Sequence, residues 1–194
     1  MYSYLSKLST SSKNDLLLQW KWLATTLNPY YEGNDVCFMI NEDRLIMNSK
    51  EHWTFLADKT GNIMDCANMK FLVKKAKKCL GSVHLVTADG SIDCQNNPNE
   101  QEAMVVHLHF AEILGALLSL DKGGTFLVKM FTFFECQTVC NLFLLACLFD
   151  KVQTIFKKLT ESSAYASSFA HLVSEVSNNI FIVRFLRYLF LSRP

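Results

Sequence analysis

Val83-His84-Leu85-Val86-Thr87-Ala88-Asp89-Gly90-Ser91 and Thr125-Phe126-Leu127-Val128-Lys129-Met130-Phe131 are the two segments that decide the fold. Between them lie a polar loop from Ile92 to Asn99, an apolar-periodic run from about Glu100 to Leu120, and the turn Asp121-Lys122-Gly123-Gly124. A strand, a crossover helix and a second strand make a parallel βαβ unit, since parallel neighbours need a long connection. Strands of such a unit are covered on both faces and read as continuous apolar runs. Two charges break these runs: Asp89 at the end of the first strand and Lys129 inside the second.

Each charge alone has an ordinary explanation. Asp-Gly after a strand is usually a turn, and a strand lysine usually marks an edge with its ammonium in water. Together they say more. Ligands of open α/β sheets bind beyond the carboxyl ends of the strands, and neighbouring parallel strands would bring Asp89 and Lys129 to one rim.

Working outward, Asn99 is expected to cap the crossover helix, with Glu102 three residues on completing a capping box. Ala103, Val106, Phe110, Ile113, Leu117 and Leu120 give that helix a stripe suited to packing on a sheet. Ala67 to Leu80 is amphipathic, with Lys70, Lys74, Lys75, Lys77 and Lys78 on a solvated face that could also serve as an RNA-phosphate patch. Upstream, Leu16 to Thr26 is a strand candidate ended by Asn28-Pro29, and Asp35 to Met47 has helical spacing. Downstream, a helix is expected from Glu135 to Leu148, then strands at Phe149 to Phe156 and Ile180 to Val183. The final Arg184-to-Leu191 tail is apolar but shorter than the ~20 residues of a membrane span.

The chain has 194 residues, 50% hydrophobic and 19% charged, with a formal net charge of +1. That suits one globular domain over residues 1–194 and excludes a disordered chain. Near-neutral charge means that any RNA groove must be a local patch. Seven cysteines without a C-x-x-C pair suit buried free thiols in a reducing, intracellular compartment. His107 and His109 point to different helix faces and read as structural. No metal site and no membrane anchor are expected.

Three phrases carry a family resemblance. They are Leu85 to Gln95, Pro98-Asn99-Glu100-Gln101-Glu102-Ala103, and Gly123-Gly124-Thr125-Phe126-Leu127-Val128-Lys129-Met130-Phe131-Thr132. With Trp20 to Asp35 and Thr60-Gly61-Asn62-Ile63-Met64, they resemble the FtsJ-type ribose 2′-O-methyltransferases, within them the cap-specific mRNA enzymes, over roughly Trp20 to Phe156. The resemblance implies a Rossmann-like α/β fold with a mostly parallel sheet. It also implies S-adenosyl-L-methionine as methyl donor, and capped mRNA, at the ribose of the second transcribed nucleotide, as substrate in the nucleus or cytoplasm.

In the family's Lys-Asp-Lys-Glu tetrad, Asp89 and Lys129 match the second and third positions. Asp89 would line the cofactor's methionine end. Trp20 matches a cofactor-side position, and Asn62 stands where the family places an aspartate beside the adenine. Asn179, or Glu175 after a register shift, falls at the tetrad glutamate. The glycine-bearing cofactor loop, its strand and the first tetrad lysine are expected to lie ahead of this chain.

A lysine acts as a base only when neutral, a state favoured by burial or a neighbouring cation, so Lys129 is the candidate general base. Two readings from other classes stay open: a non-catalytic RNA- or protein-binding remnant of the fold, and an interaction protein using the apolar tail.

Overall fold

The computed structural model describes residues 21–35, 38–39, 43–92, 100–130, 132–156 and 179–184, with side chains of the last two strands described only as far as residue 153. The helices are α1 (Arg44–Asn48), α2 (Cys66–Leu80), α3 (Gln101–Ser119) and α4 (Cys136–Leu148). The strands are β1 (Leu85–Ala88), β2 (Thr125–Met130), β3 (Lys151–Phe156) and β4 (Asn179–Arg184).

The sheet order is β1-β2-β4-β3. β1 and β2 run parallel, with α3 as their crossover. β4 lies between β2 and β3 and is antiparallel to both, so β1, β2 and β3 share one direction. This is the α/β arrangement expected, with one reversed strand. Lys151–Arg184 and Phe156–Asn179 pairing fixes the β3–β4 register.

The start of the βαβ unit is pinned chemically. Asp121 Oδ2 accepts the Val83 amide at 2.7 Å, its own amide donates to the Val83 carbonyl at 3.0 Å, and Thr125 N–H donates to the His84 carbonyl at 2.8 Å. Gly123, at φ 81°, supplies the left-handed residue of the turn. These bonds set the register that places Ala88 beside Val128.

β2 is not covered equally on both faces. Phe126, Val128 and Met130 are fully buried, while Thr125, Leu127 and Lys129 are half-buried. β1 is the outer strand of the described sheet and alternates exposed and half-buried residues. The buried face of β2 meets Ala76 of α2, Ile113 and Ala116 of α3, and Leu145 of α4 in one core, with Phe149 stacked on Phe126 at 6.5 Å between ring centroids. Each large side chain sealed there contributes roughly 1.5–3 kcal/mol. α3 matches a membrane span in length and apolarity, yet half of that apolar stretch is buried against this core.

Several expectations change. Residues 21–26 form no strand; they make one parallel bridge, Ala24 with Trp53. The ladder cannot grow because a 3-10 turn, Lys50–His52, precedes Trp53, and Leu56 beyond it turns to φ 69°. Leu16 to Trp20 lie outside the described residues. Of the expected Asp35-to-Met47 helix the structure describes α1, beginning at Arg44 after Asp43, while residues 36–37 and 40–42 lie outside the described residues. The described thiols (Cys66, Cys79, Cys136, Cys140 and Cys147) are free but exposed, because they fall on the outer faces of α2 and α4.

The crossover helix is rotated from its expected stripe. Val105, Val106, His109, Glu112, Ile113 and Ala116 face inward, whereas Phe110 is 49% exposed. Its N-cap is Glu100 and has no side-chain cap bond; Asn99 lies outside the described residues. α2, by contrast, has a strong cap, with Asp65 Oδ1 accepting both the Ala67 and Asn68 amides at 2.9 Å.

Candidate active site

Asp89 follows Ala88 directly, and the β1–β2 register brings it level with Lys129. Lys129 Nζ lies 2.8 Å from Asp89 Oδ1, a direct ion pair at the neighbouring C-terminal ends of β1 and β2. The Asp89 side chain is 71% exposed and that of Lys129 32%. The carboxylate therefore faces solvent at the rim while the lysine stem is covered. The lysine side chain is mostly covered, with its ammonium held against the Asp89 carboxylate.

Beneath the pair is a residue the sequence did not mark. Glu112 of α3 is 8% exposed, and its Oε1 accepts the Gly90 amide at 2.7 Å. Glu112 Oε2 is also buried and makes no hydrogen bond among the described residues. Burial pushes the Glu112 carboxyl up to about 7; Asp89 adds to the rise, and the Gly90 bond and Lys129 oppose it. Gly90 cannot be larger without movement, since a Cβ there would lie 2.6 Å from Glu112 Oε1 and 2.9 Å from Leu108 Cδ2. The available signal was an acid three residues after His109, in step with Val105, Val106 and Ala116.

Glu102, expected in a capping box, does something else. Its carboxylate accepts the Thr132 hydroxyl and the Phe134 and Glu135 amides, the last two at 3.0 Å. It thus ties the segment after β2 to the start of α4, where a helix N-terminus favours an anion. Burial works against its ionisation, but these hydrogen bonds hold it below the ordinary carboxylate range. One helical stretch further along α3, His109 is 3% exposed, and burial, outweighing attraction to Glu102, lowers it to about 4. His107 is exposed, so the two histidines do point apart.

The remaining candidates lie elsewhere. Asn62 precedes α2; its Oδ1 accepts the Met64 amide at 3.0 Å and its carbonyl accepts Asn68 Nδ2 at 3.0 Å. Fully buried Asn68 also receives the Ala57 and Asp58 amides, so the Asn62 loop is built on α2 rather than on the Asp89–Lys129 rim. Trp20 and Glu175 lie outside the described residues. Asn179 opens β4 opposite Met130, with Ile180 opposite Lys129, which places its backbone at the rim Lys129 occupies. Among the described residues no group of three His, Cys, Asp or Glu could hold a metal ion.

The FtsJ-like methyltransferase family model matches residues 5–169. The chain is similar to cap-specific mRNA (nucleoside-2′-O-)-methyltransferase 2 of Drosophila melanogaster, with 51% identity over 144 residues, covering 74% of this chain and 20% of the relative. The Danio rerio protein of the same name is 48% identical over 156 residues, covering 80% and 20%. That of Mus musculus is 46% identical over 147 residues, covering 75% and 19%. The chain thus spans a fifth or less of the length of these curated relatives.

Proposed function

Because this chain belongs to the FtsJ-like methyltransferase family, we propose that it carries part of the site for S-adenosylmethionine-dependent methylation of a ribose 2′-hydroxyl in capped mRNA, at the second transcribed nucleotide. The observation that carries the reading is the 2.8 Å contact of Asp89 with Lys129 at the C-terminal ends of two parallel strands. The activity named for the relatives supplies the substrate class.

The donor chemistry of the rim fits the cofactor in part. Asp89 offers a largely exposed carboxylate that can receive the ammonium of the methionine moiety. Asn62, the adenine-side candidate, already spends its Oδ1 on Met64. When bound, S-adenosylmethionine supplies a methyl group on a sulfonium leaving group. What the chain must add is alignment and management of one proton. Lys129, once its ammonium has given up a proton to solvent, would take the ribose proton as the O–H bond breaks, and Asp89 would orient the ammonium formed again. General-base contributions of this kind are typically ~10²–10⁴-fold.

A second reading is favoured by one position. Asn179, not an acid, stands in the strand register where the family's glutamate is expected, and sets of catalytic residues act as a unit. On that reading the chain binds RNA or protein without turnover. A methyl-transfer assay on capped RNA, comparing Lys129→Ala with the parent, tests the base; equal activity removes it. Calorimetry with S-adenosylmethionine separates the two readings, since a folded chain that releases no heat is the binding remnant.

A further inference from the structure

We propose that Glu112 is a positioning residue for methyl transfer, holding the Gly90 amide and so fixing the turn that presents Asp89 to Lys129. This rests on the methyl-transfer reading above.

The geometry is direct. Glu112 reaches from the crossover helix to the residue immediately after Asp89, at 2.7 Å. The turn and the helix touch so closely that a Cβ at Gly90 would meet Glu112 Oε1 and Leu108. Asp89 itself is 71% exposed, so packing does little to hold its carboxylate; the turn beneath it and Lys129 do.

The energetics point the same way. A buried carboxyl with one oxygen lacking a hydrogen bond is unfavourable, and an apolar residue of similar size would serve the fold better. Locally unfavourable groups of this kind concentrate at functional sites. The charges that bear on Glu112 are Asp89 after β1 and Lys129 on β2, with His109 one turn away on its own helix. Glu112 therefore belongs electrostatically to the rim pair as well as mechanically. A displacement of about 1 Å at a reacting centre can cost roughly 10²-fold in rate, which sets the scale of the effect.

The test compares Glu112→Leu, which removes the acceptor, with Glu112→Gln, whose carbonyl can still accept the Gly90 N–H, in the full chain. Steady-state methyl transfer to capped RNA gives kcat and KM, and hydrogen exchange at the Gly90 amide reads the turn without reference to activity. Glu112→Leu should lower kcat about 100-fold with KM little changed, and speed Gly90 exchange, while Glu112→Gln retains both parental values. Parental kcat in Glu112→Leu overturns the proposal, as does a Glu112→Gln variant equally impaired. If Glu112→Leu does not fold, Gly90→Ala is the second probe: it should lower kcat through the clash with Glu112, and parental kcat again overturns the idea. A parent without methyl transfer overturns the methyl-transfer reading instead, and Gly90 exchange then decides alone whether Glu112 holds the turn.

Discussion

Replacing Glu112 with glutamine should tilt the pH dependence of stability in a calculable way. Burial raises this carboxyl from 4.5 to about 7. A group with a raised folded-state pKa binds more protons folded than unfolded between those limits. Its contribution is therefore complete below the lower value and disappears as pH rises through the upper one. At 1.36 kcal/mol per pKa unit, the loss is about 3 kcal/mol. Glutamine does not titrate, so its stability relative to the parent should improve by about 3 kcal/mol between about pH 4 and about pH 8.5. Any fixed cost of exchanging acid for amide appears equally at both ends and cancels. In urea titrations, with a slope near 2 kcal/mol/M, the midpoint of the variant should gain about 1.5 M on the parent over that interval. A gap that stays constant, or that widens in the parent's favour, would refute the buried, proton-holding carboxyl.

His109 should tilt the curve the other way. Its lowered folded-state value of about 4 contributes stability present above about 6.5 and lost as pH falls through 4, so His109→Leu should gain on the parent by roughly 3 kcal/mol on acidification, read in the same titrations. Glu102→Ala leaves the Phe134 and Glu135 amides without their acceptor and should cost about 2–4 kcal/mol in thermal or chemical unfolding. Because its folded-state value is lowered, that stabilisation should fade in the parent as the solution is acidified through the carboxylate range. Two glycines with similar backbone angles should part company. Gly61→Ala (φ 76°) drives a Cβ to 1.9 Å from the Thr26 carbonyl oxygen and should unfold the region before α2, whereas Gly123→Ala (φ 81°) meets nothing within 4 Å and should cost only about 1–2 kcal/mol.

The rim pair could be foreseen because it depends on chain direction alone: two parallel strands with charges near their C-terminal ends must bring those charges to one side. Glu112 and Glu102 could not. Acids on a helix usually face water, and this helix is apolar on so much of its circumference that Phe110 and Ile113 compete as markers of the inner face. The structure resolves the competition by turning Phe110 outward and His109, Glu112 and Ile113 inward. Residues 21–26 misled for a different reason. Their apolar and β-branched composition suits a strand, but extended pairing depends on the partner, and here the partner coils into a 3-10 turn before Trp53. Likewise Asn62 could be located relative to α2 by spacing, while its commitment to Met64 appears only in three dimensions.

Glu102 and Glu112 lie ten positions apart on one helix, about 15 Å along its axis. One grips the segment leaving the lysine-bearing strand, and the other grips the turn leaving the aspartate-bearing strand. The crossover helix therefore behaves as a spacer bar with one fastening in its first turn and another just past its middle. A push that slides it along its length would carry both lips of the crevice in concert, so a change in the mouth's width needs a fastening to break rather than the bar to shift.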